Sequence, residues 1–273
     1  MTIRLGHSPD PDDAFMFWAL AAGAVDTRGF TFEHVHADIQ TLNEWALEGR
    51  LEVTAMSLAA YPFAQDRYRL LPHGASFGSG YGPVVVAREE LPLDALREVE
   101  LVVPGRLTTA FLATRLALGD VRHRHIPFDR ILDEVREGRA EAGVVIHEGQ
   151  LTYGGAGLVK VLDLGEWWHA ETGLPLPLGV NTLRRDVERA EELSAVLLES
   201  IRAGLANREA AMEYALGFGR GIDVAVADRF VGMYVNDLTT DVGDEGRRAV
   251  AELLRRAEAA GAVDGPVRLD FAV

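Results

Sequence analysis

A histidine closes an apolar run: Ala142-Gly143-Val144-Val145-Ile146 leads directly into His147-Glu148. The run predicts a buried strand of an α/β sheet, here Ala142–His147, and open α/β sheets bind ligands beyond the carboxyl ends of their strands. Imidazole exchanges protons near neutral pH, so His147 stands where a general base would act. Glu148 could orient His147 or point away from it, and strand alternation, which sends adjacent side chains to opposite faces, favours the second. Other residues offer grip. Ser57 follows Val53-Thr54-Ala55-Met56, and Thr108-Thr109 follow Leu101-Val102-Val103-Pro104-Gly105, each just before a helical pattern. A hydroxyl and free N–H groups at a helix start hold a carboxylate or phosphate, so these two turns together predict an anion clamp. Ser8-Pro9-Asp10-Pro11-Asp12-Asp13 makes a third strand-to-helix turn, with Asp10 as cap and Pro11 at the first helical position. Asp12 and Asp13 suit the positive end of the helix dipole, and Ser8 and Asp13 are further site candidates.

Three glycines in Gly78-Ser79-Gly80-Tyr81-Gly82-Pro83 mark a turn that needs unusual backbone angles or a close approach, and Tyr81 is a further candidate there. This run does not lead from a strand into a helix, so no dinucleotide site is expected. His34 and His36 share a strand face, as do His123 and His125, but no third ligand is evident and no metal site is expected. Trp167-Trp168-His169 falls in a loop-like segment and reads as packing. The chain has no cysteine, no G-x-S-x-G elbow and no Walker motif.

Elements to position these residues alternate along most of the chain. Strands are predicted near Ile3–His7, Thr31–Ala37, Val53–Met56, Pro83–Ala87, Glu100–Val103, Arg124–Ile126, Ala142–His147, Val159–Leu164 and Leu178–Asn181. Helices are predicted over Asp12–Ala22, Thr41–Glu48, Leu58–Gln65, Thr108–Leu118 and Phe128–Glu137. Most of Val187–Ala260 also reads as helix, broken at Gly217–Gly221 and Asp241–Gly246. Composition shifts at Arg88–Leu93 and at Asn181–Arg185. These shifts predict an α/β protein of two lobes. Residues 1–88 with 182–273 form the larger, 89–181 the smaller, and a two-stranded hinge leaves a ligand cleft between them.

With 273 residues, 48% of them apolar and 25% charged, the chain has an ordinary globular profile. A formal charge of −15 argues against nucleic acid and against an anionic membrane surface. The overall field repels an anionic ligand, so local dipoles must hold one. Lys160 is the single lysine among 27 basic residues, a bias suited to heat adaptation or to a GC-rich genome. Residues 1–6 carry no targeting pattern, so a cytoplasmic location is expected.

Taken in order, six motifs carry a resemblance. They are Ser8-Pro9-x-Pro11-x-Asp13-x-Phe15, Ala55-Met56-Ser57, Gly80-Tyr81-Gly82-Pro83, Thr108-Thr109-Ala110, Ile146-His147-Glu148 and Gly173-Leu174-Pro175-x-Pro177-Leu178-Gly179. Over nearly the whole chain this set resembles the 1,4-dihydroxy-6-naphthoate synthases of the futalosine route to menaquinone. The resemblance implies a fold similar to type II periplasmic binding proteins. It implies conversion of cyclic dehypoxanthine futalosine with release of a ribose-derived fragment. It further implies His147 as proton acceptor, with Ala55, Met56, Ser57, Thr109 and Ala110 holding an anionic aromatic substrate and no cofactor required. Asp10, Asp12 and Ala14 depart from the family's pattern, where Cys, Asn and Thr are commoner. Two alternatives share the fold: a chorismate dehydratase, disfavoured by the Ser-Pro-x-Pro turn, and a solute-binding protein.

Overall fold

The computed structural model describes residues 1–219 and 221–272. β1 (Thr2–His7), β2 (Thr31–His36) and β3 (Val53–Ser57) run parallel, with β1 in the centre. The short strands β4 (Tyr68–Leu70) and β5 (Ser76–Gly78) follow. The chain then builds a second sheet from β6 (Val84–Ala87), β7 (Leu101–Val103), β8 (His123–His125), β9 (Ala142–Val145) and β10 (Val159–Asp163), in the order β10-β6-β9-β7-β8. β11 (Leu176–Arg184) returns to the first sheet antiparallel to β3, giving β2-β1-β3-β11-β4 with β5 also on β11. A strand so late in the chain between β3 and β4 is what an excursion and return produces. The fold is a two-lobe α/β architecture.

All nine expected strands have counterparts; β4 and β5 were not expected, because three residues are too few to show a period. Strand pairing also moves both expected lobe edges. β6 lies in the second sheet although residues 84–87 were placed in the first lobe. The whole of β11 bonds into the first sheet, including residues 176–181, which were placed in the second. The crossings therefore fall between β5 and β6 and between β10 and β11. The first composition shift marks an exposed segment beyond its crossing, and the second falls at the buried end of β11. At the first crossing, a Cβ on Gly78 or on Gly165 would stand 1.9 Å from the Tyr81 carbonyl oxygen, so only glycine admits the turn.

Eight helices of eight or more residues pack on the sheets among the described residues. They are α1 (Pro11–Ala21), α2 (Ile39–Glu48), α3 (Thr109–Leu118), α4 (Leu164–Thr172), α5 (Ala190–Ala206), α6 (Arg208–Leu216), α7 (Val224–Tyr234) and α8 (Gly243–Ala259). Ile3 and Leu5 of β1, with Phe15 and Phe17 of α1, are wholly buried in one core with residues of α5 and α6. Each such side chain contributes roughly 1.5–3 kcal/mol by leaving water.

Three expectations fail locally. The helix expected from Leu58 survives only as Tyr61–Ala64; residues 58–60 form a turn whose Leu58 N–H donates to the Leu178 carbonyl and whose Ala59 N–H donates to Thr109 Oγ1. The Trp167-Trp168-His169 segment is helical. Trp168 is fully buried there and its indole N–H donates to the Pro175 carbonyl at 3.1 Å. The C-terminal third breaks at Asn207 and at the expected Gly217–Gly221, where Arg220 lies outside the described residues, but of the expected Asp241–Gly246 break only residues 241–242 are non-helical, since Gly243 already opens α8.

Candidate active site

Strand ends and helix starts of both lobes line one cleft. Ser8, Asp13, Ala55, Met56, Ser57, Thr108, Thr109, Ala110 and His147 all line it. Tyr81 does not. Its hydroxyl donates to the Met233 carbonyl and its ring meets that of Tyr234 edge-on, with centroids 5.8 Å apart. Tyr234 lines the cleft instead, so Tyr81 stands behind the wall.

β9 ends at Val145, and His147 lies beyond it at φ 60°. A left-handed non-glycine residue costs of order 1–3 kcal/mol, and such strain concentrates at functional sites. Gly149 makes the turn feasible: a Cβ there would stand 2.6 Å from Val145 Cγ1 and 3.0 Å from His147 Cε1. Because the turn breaks strand alternation, Glu148 does not point away as expected. Its Oε2 lies 3.3 Å from His147 Nδ1, and both side chains are more than nine-tenths buried. The Gly149 N–H donates to the same Nδ1 at 3.0 Å. Nε2 is buried and has no hydrogen-bond partner among the described residues. The Phe128 ring packs edge-on to the imidazole at 4.8 Å.

Nδ1 thus faces two contacts that require opposite states. Accepting from Gly149 needs a lone pair on Nδ1 and leaves the proton on Nε2. Donating to Glu148 needs Nδ1–H and frees the Nε2 lone pair. In the second state the ring can take a proton from a bound molecule, and the Glu148 carboxylate stabilises the imidazolium that results.

The two threonine hydroxyls expected to clamp an anion bond within the protein. Thr108 caps α3, accepting from Phe111 N–H at 3.3 Å and donating to the Gly105 carbonyl at 2.8 Å. The Thr109 hydroxyl donates to the Leu178 carbonyl at 2.6 Å and accepts from Ala59 N–H at 3.2 Å. Both hydroxyls are spent. What α3 offers the cleft is its first two amides, at Thr109 and Ala110, with the positive end of the helix dipole. No helix starts at Ser57, whose own N–H donates to Asn43 Oδ1 at 2.8 Å. Asn43 Nδ2 donates in turn to Ser57 Oγ at 3.0 Å, leaving the Ser57 O–H to donate elsewhere.

The turn after β1 crowds three carboxyls. Ser8 N–H donates to Asp13 Oδ2 at 2.7 Å and Ser8 Oγ to Asp10 Oδ2 at 2.8 Å. Burial, opposed by the Ser8 bonds and reinforced by the Asp10 charge, pushes Asp13 up to about 6. Burial and the charges of Asp13 and Asp10 push Asp12 well above the carboxylate range.

Tyr234 and Gln150 escaped sequence reasoning. The Tyr234 hydroxyl donates to Gln150 Oε1 at 2.7 Å, and both line the cleft, joining α7 to the segment after His147. No local pattern marks either residue.

Comparison with known proteins places this geometry. The family described as Menaquinone biosynthesis matches residues 3–259. The chain belongs to that family. A Thermus thermophilus protein named 1,4-dihydroxy-6-naphtoate synthase is 44% identical over 261 residues, covering 95% of each chain. A crystal structure of an Archaeoglobus fulgidus protein superposes with a TM-score of 0.91 at 46% identity, covering 96% of this chain and 98% of that one. The alkanesulfonate-binding protein of Xanthomonas axonopodis pv. citri superposes with a TM-score of 0.72 at 10% identity, covering 97% and 94%. That last likeness is one of fold alone: this member of the menaquinone family has the architecture of a periplasmic binding protein. Among the described residues no helix is long and apolar enough to cross a membrane.

Proposed function

We propose that the chain is a carbon–carbon lyase that converts cyclic dehypoxanthine futalosine to 1,4-dihydroxy-6-naphthoate, with His147 as general base. The observation that carries this reading is the buried His147 beyond β9, its Nε2 unpartnered among the described residues and its Nδ1 beside Glu148. The name of the Thermus relative supports the choice of product. In this reading the substrate carboxylate sits on the Thr109 and Ala110 amides, with the Ser57 hydroxyl donating to a second oxygen. The protein's net charge of −15 then matters little, because local dipoles do the holding. His147 Nε2 takes a proton, the electron pair this frees forms a new double bond on the departing ribose-derived fragment as the carbon–carbon bond breaks, and the electrons of that bond pass to the adjacent ring carbonyl, aromatisation driving the step. No cofactor enters this scheme, and the reaction belongs in the cytoplasm. The two sheets act as lobes hinged at the β5–β6 and β10–β11 crossings.

The test incubates wild type and His147→Asn with cyclic dehypoxanthine futalosine and follows naphthoate by absorbance and mass spectrometry. Wild type forms product, and His147→Asn is slower by about 10²–10⁴-fold. Substrate binding without any product would make the chain a receptor and sink the lyase assignment. Undiminished turnover by His147→Asn would remove His147 from its role and leave the activity standing.

A further inference from the structure

Away from the cleft lining, the parallel pairing of β1 with β2 assembles a cluster that neither strand shows alone. The register sets His7 opposite His36, and His34 lies two residues earlier on the same face of β2. One ring nitrogen from each of the three lies within 4.8 Å of one from each of the others. His7 Nε2 is 3.0 Å from His34 Nδ1, and the His7 and His36 ring centroids are 4.6 Å apart. His7 therefore supplies the third partner that sequence reasoning did not find for His34 and His36.

The protonation states follow from the hydrogen bonds. His7 Nδ1 lies 3.1 Å from the Ser8 carbonyl, which can only accept, so the proton is on Nδ1 and the lone pair on Nε2 faces the cluster. A ring whose far N–H is tied to a carbonyl while the other nitrogen faces inward has the outer-shell arrangement of metal-bound histidines. In the ion-free state His34 Nδ1–H then donates to His7 Nε2, and an ion bound between the rings would move the His34 proton to Nε2, which is buried and has no hydrogen-bond partner among the described residues. Burial pushes His7 down to about 3, with His34 and His36 adding to the effect, and burial also lowers His34 and His36. All three rings are neutral at pH 7 and carry lone pairs. Phe17 and Phe218 wall the cluster, while His36 is exposed and gives access from solvent.

We propose that His7, His34 and His36 bind one first-row divalent transition-metal ion, zinc being the natural probe, with solvent in the fourth position. Imidazole is the common ligand for such ions, and tetrahedral zinc with nitrogens at 2.0–2.1 Å sets ligand atoms about 3.3 Å apart. The 3.0 Å pair is near that spacing, and the exposed His36 can turn to close the third edge. An ion here would tie the edge strand β2 to β1 and brace the turn that begins at Ser8. No exposed carboxylate or charge run is needed for the site, so it is independent of the acidic surface.

Tag-free protein, stripped with chelator and desalted, is titrated with Zn²⁺ by calorimetry and with Co²⁺ by visible absorption. One equivalent binds, and Co²⁺ gives the intense d–d bands of a tetrahedral site. His36→Asn, at an exposed position, and His34→Asn each weaken binding by more than about ten-fold, the loss that even an outer-shell change produces. His123→Asn, on the other paired-histidine strand, leaves it unchanged. Circular dichroism confirms that the variants fold. Absence of binding by folded wild type, or equal affinity in folded His36→Asn, overturns the proposal and leaves a packed cluster of neutral rings.

Discussion

The Thr109 hydroxyl sits at a junction where one atom joins the two lobes. It belongs to α3 of the second lobe, donates to Leu178 of β11 at 2.6 Å and accepts from Ala59, just past β3, at 3.2 Å. Thr109→Val keeps the β-branched shape and the volume while deleting both bonds. Ala59 N–H is then a buried donor without a partner, and an unsatisfied buried group costs about 1–3 kcal/mol. The Leu178 carbonyl keeps the Leu58 N–H as a partner and adds little, so the loss should total roughly 1–3 kcal/mol. For a chain of this size that lowers the melting temperature by roughly 2–6 °C in scanning calorimetry. Thr109→Ser retains the hydroxyl and should recover most of the loss. The Thr109 and Ala110 amides face the cleft from the same turn, so KM should rise in Thr109→Val more than kcat falls. A Thr109→Val protein that melts within a degree of wild type would refute the bridge. So would a Thr109→Ser protein as unstable as the valine variant, since volume rather than hydrogen bonding would then be responsible.

Two further outcomes follow from the site. Asp13 is raised in the folded state to about 6, above the ordinary carboxylate value, so its favourable contribution is present below pH 4 and lost as pH rises through 6. Asp13→Asn, which keeps an acceptor for Ser8 N–H, should gain stability over wild type between pH 5 and 8 by at most about 3 kcal/mol, read from chemical denaturation at each pH. A constant difference across that range would contradict the shift. Glu148→Gln should lower kcat by about 10²-fold with little change in KM, because the carboxylate no longer holds Nδ1–H or stabilises the imidazolium. Nitrogen-15 NMR of His147 should show the Nε2–H tautomer gaining population, and an unchanged tautomer ratio would remove Glu148 from this positioning role.

What the sequence discloses and what it hides divide along one physical line. Strands such as β1 and β9 write their burial into local composition, and α3 announces its start through Thr108, so both were legible residue by residue. The ordered motifs likewise placed His147 and the 55–57 and 108–110 turns at one cleft. The use made of each polar atom was not legible, because hydrogen-bond partners come from distant elements. Thr109 reads as a free hydroxyl until Leu178 and Ala59 are folded against it, and Ser57 reads as a helix cap until Asn43 and Leu178 have taken the local amides. Glu148 was misread for a related reason: alternation holds only while the strand lasts, and one left-handed residue at position 147 ends it. The same holds for the histidines. His34 and His36 advertise a shared face through their spacing, but the ring that completes the cluster lies on another strand and is set only by register. Side-chain roles that depend on a single bonded partner are therefore fixed by topology, and in this chain the topology assembles two histidine centres, one at a strand end with an acid beside it and one between paired strands.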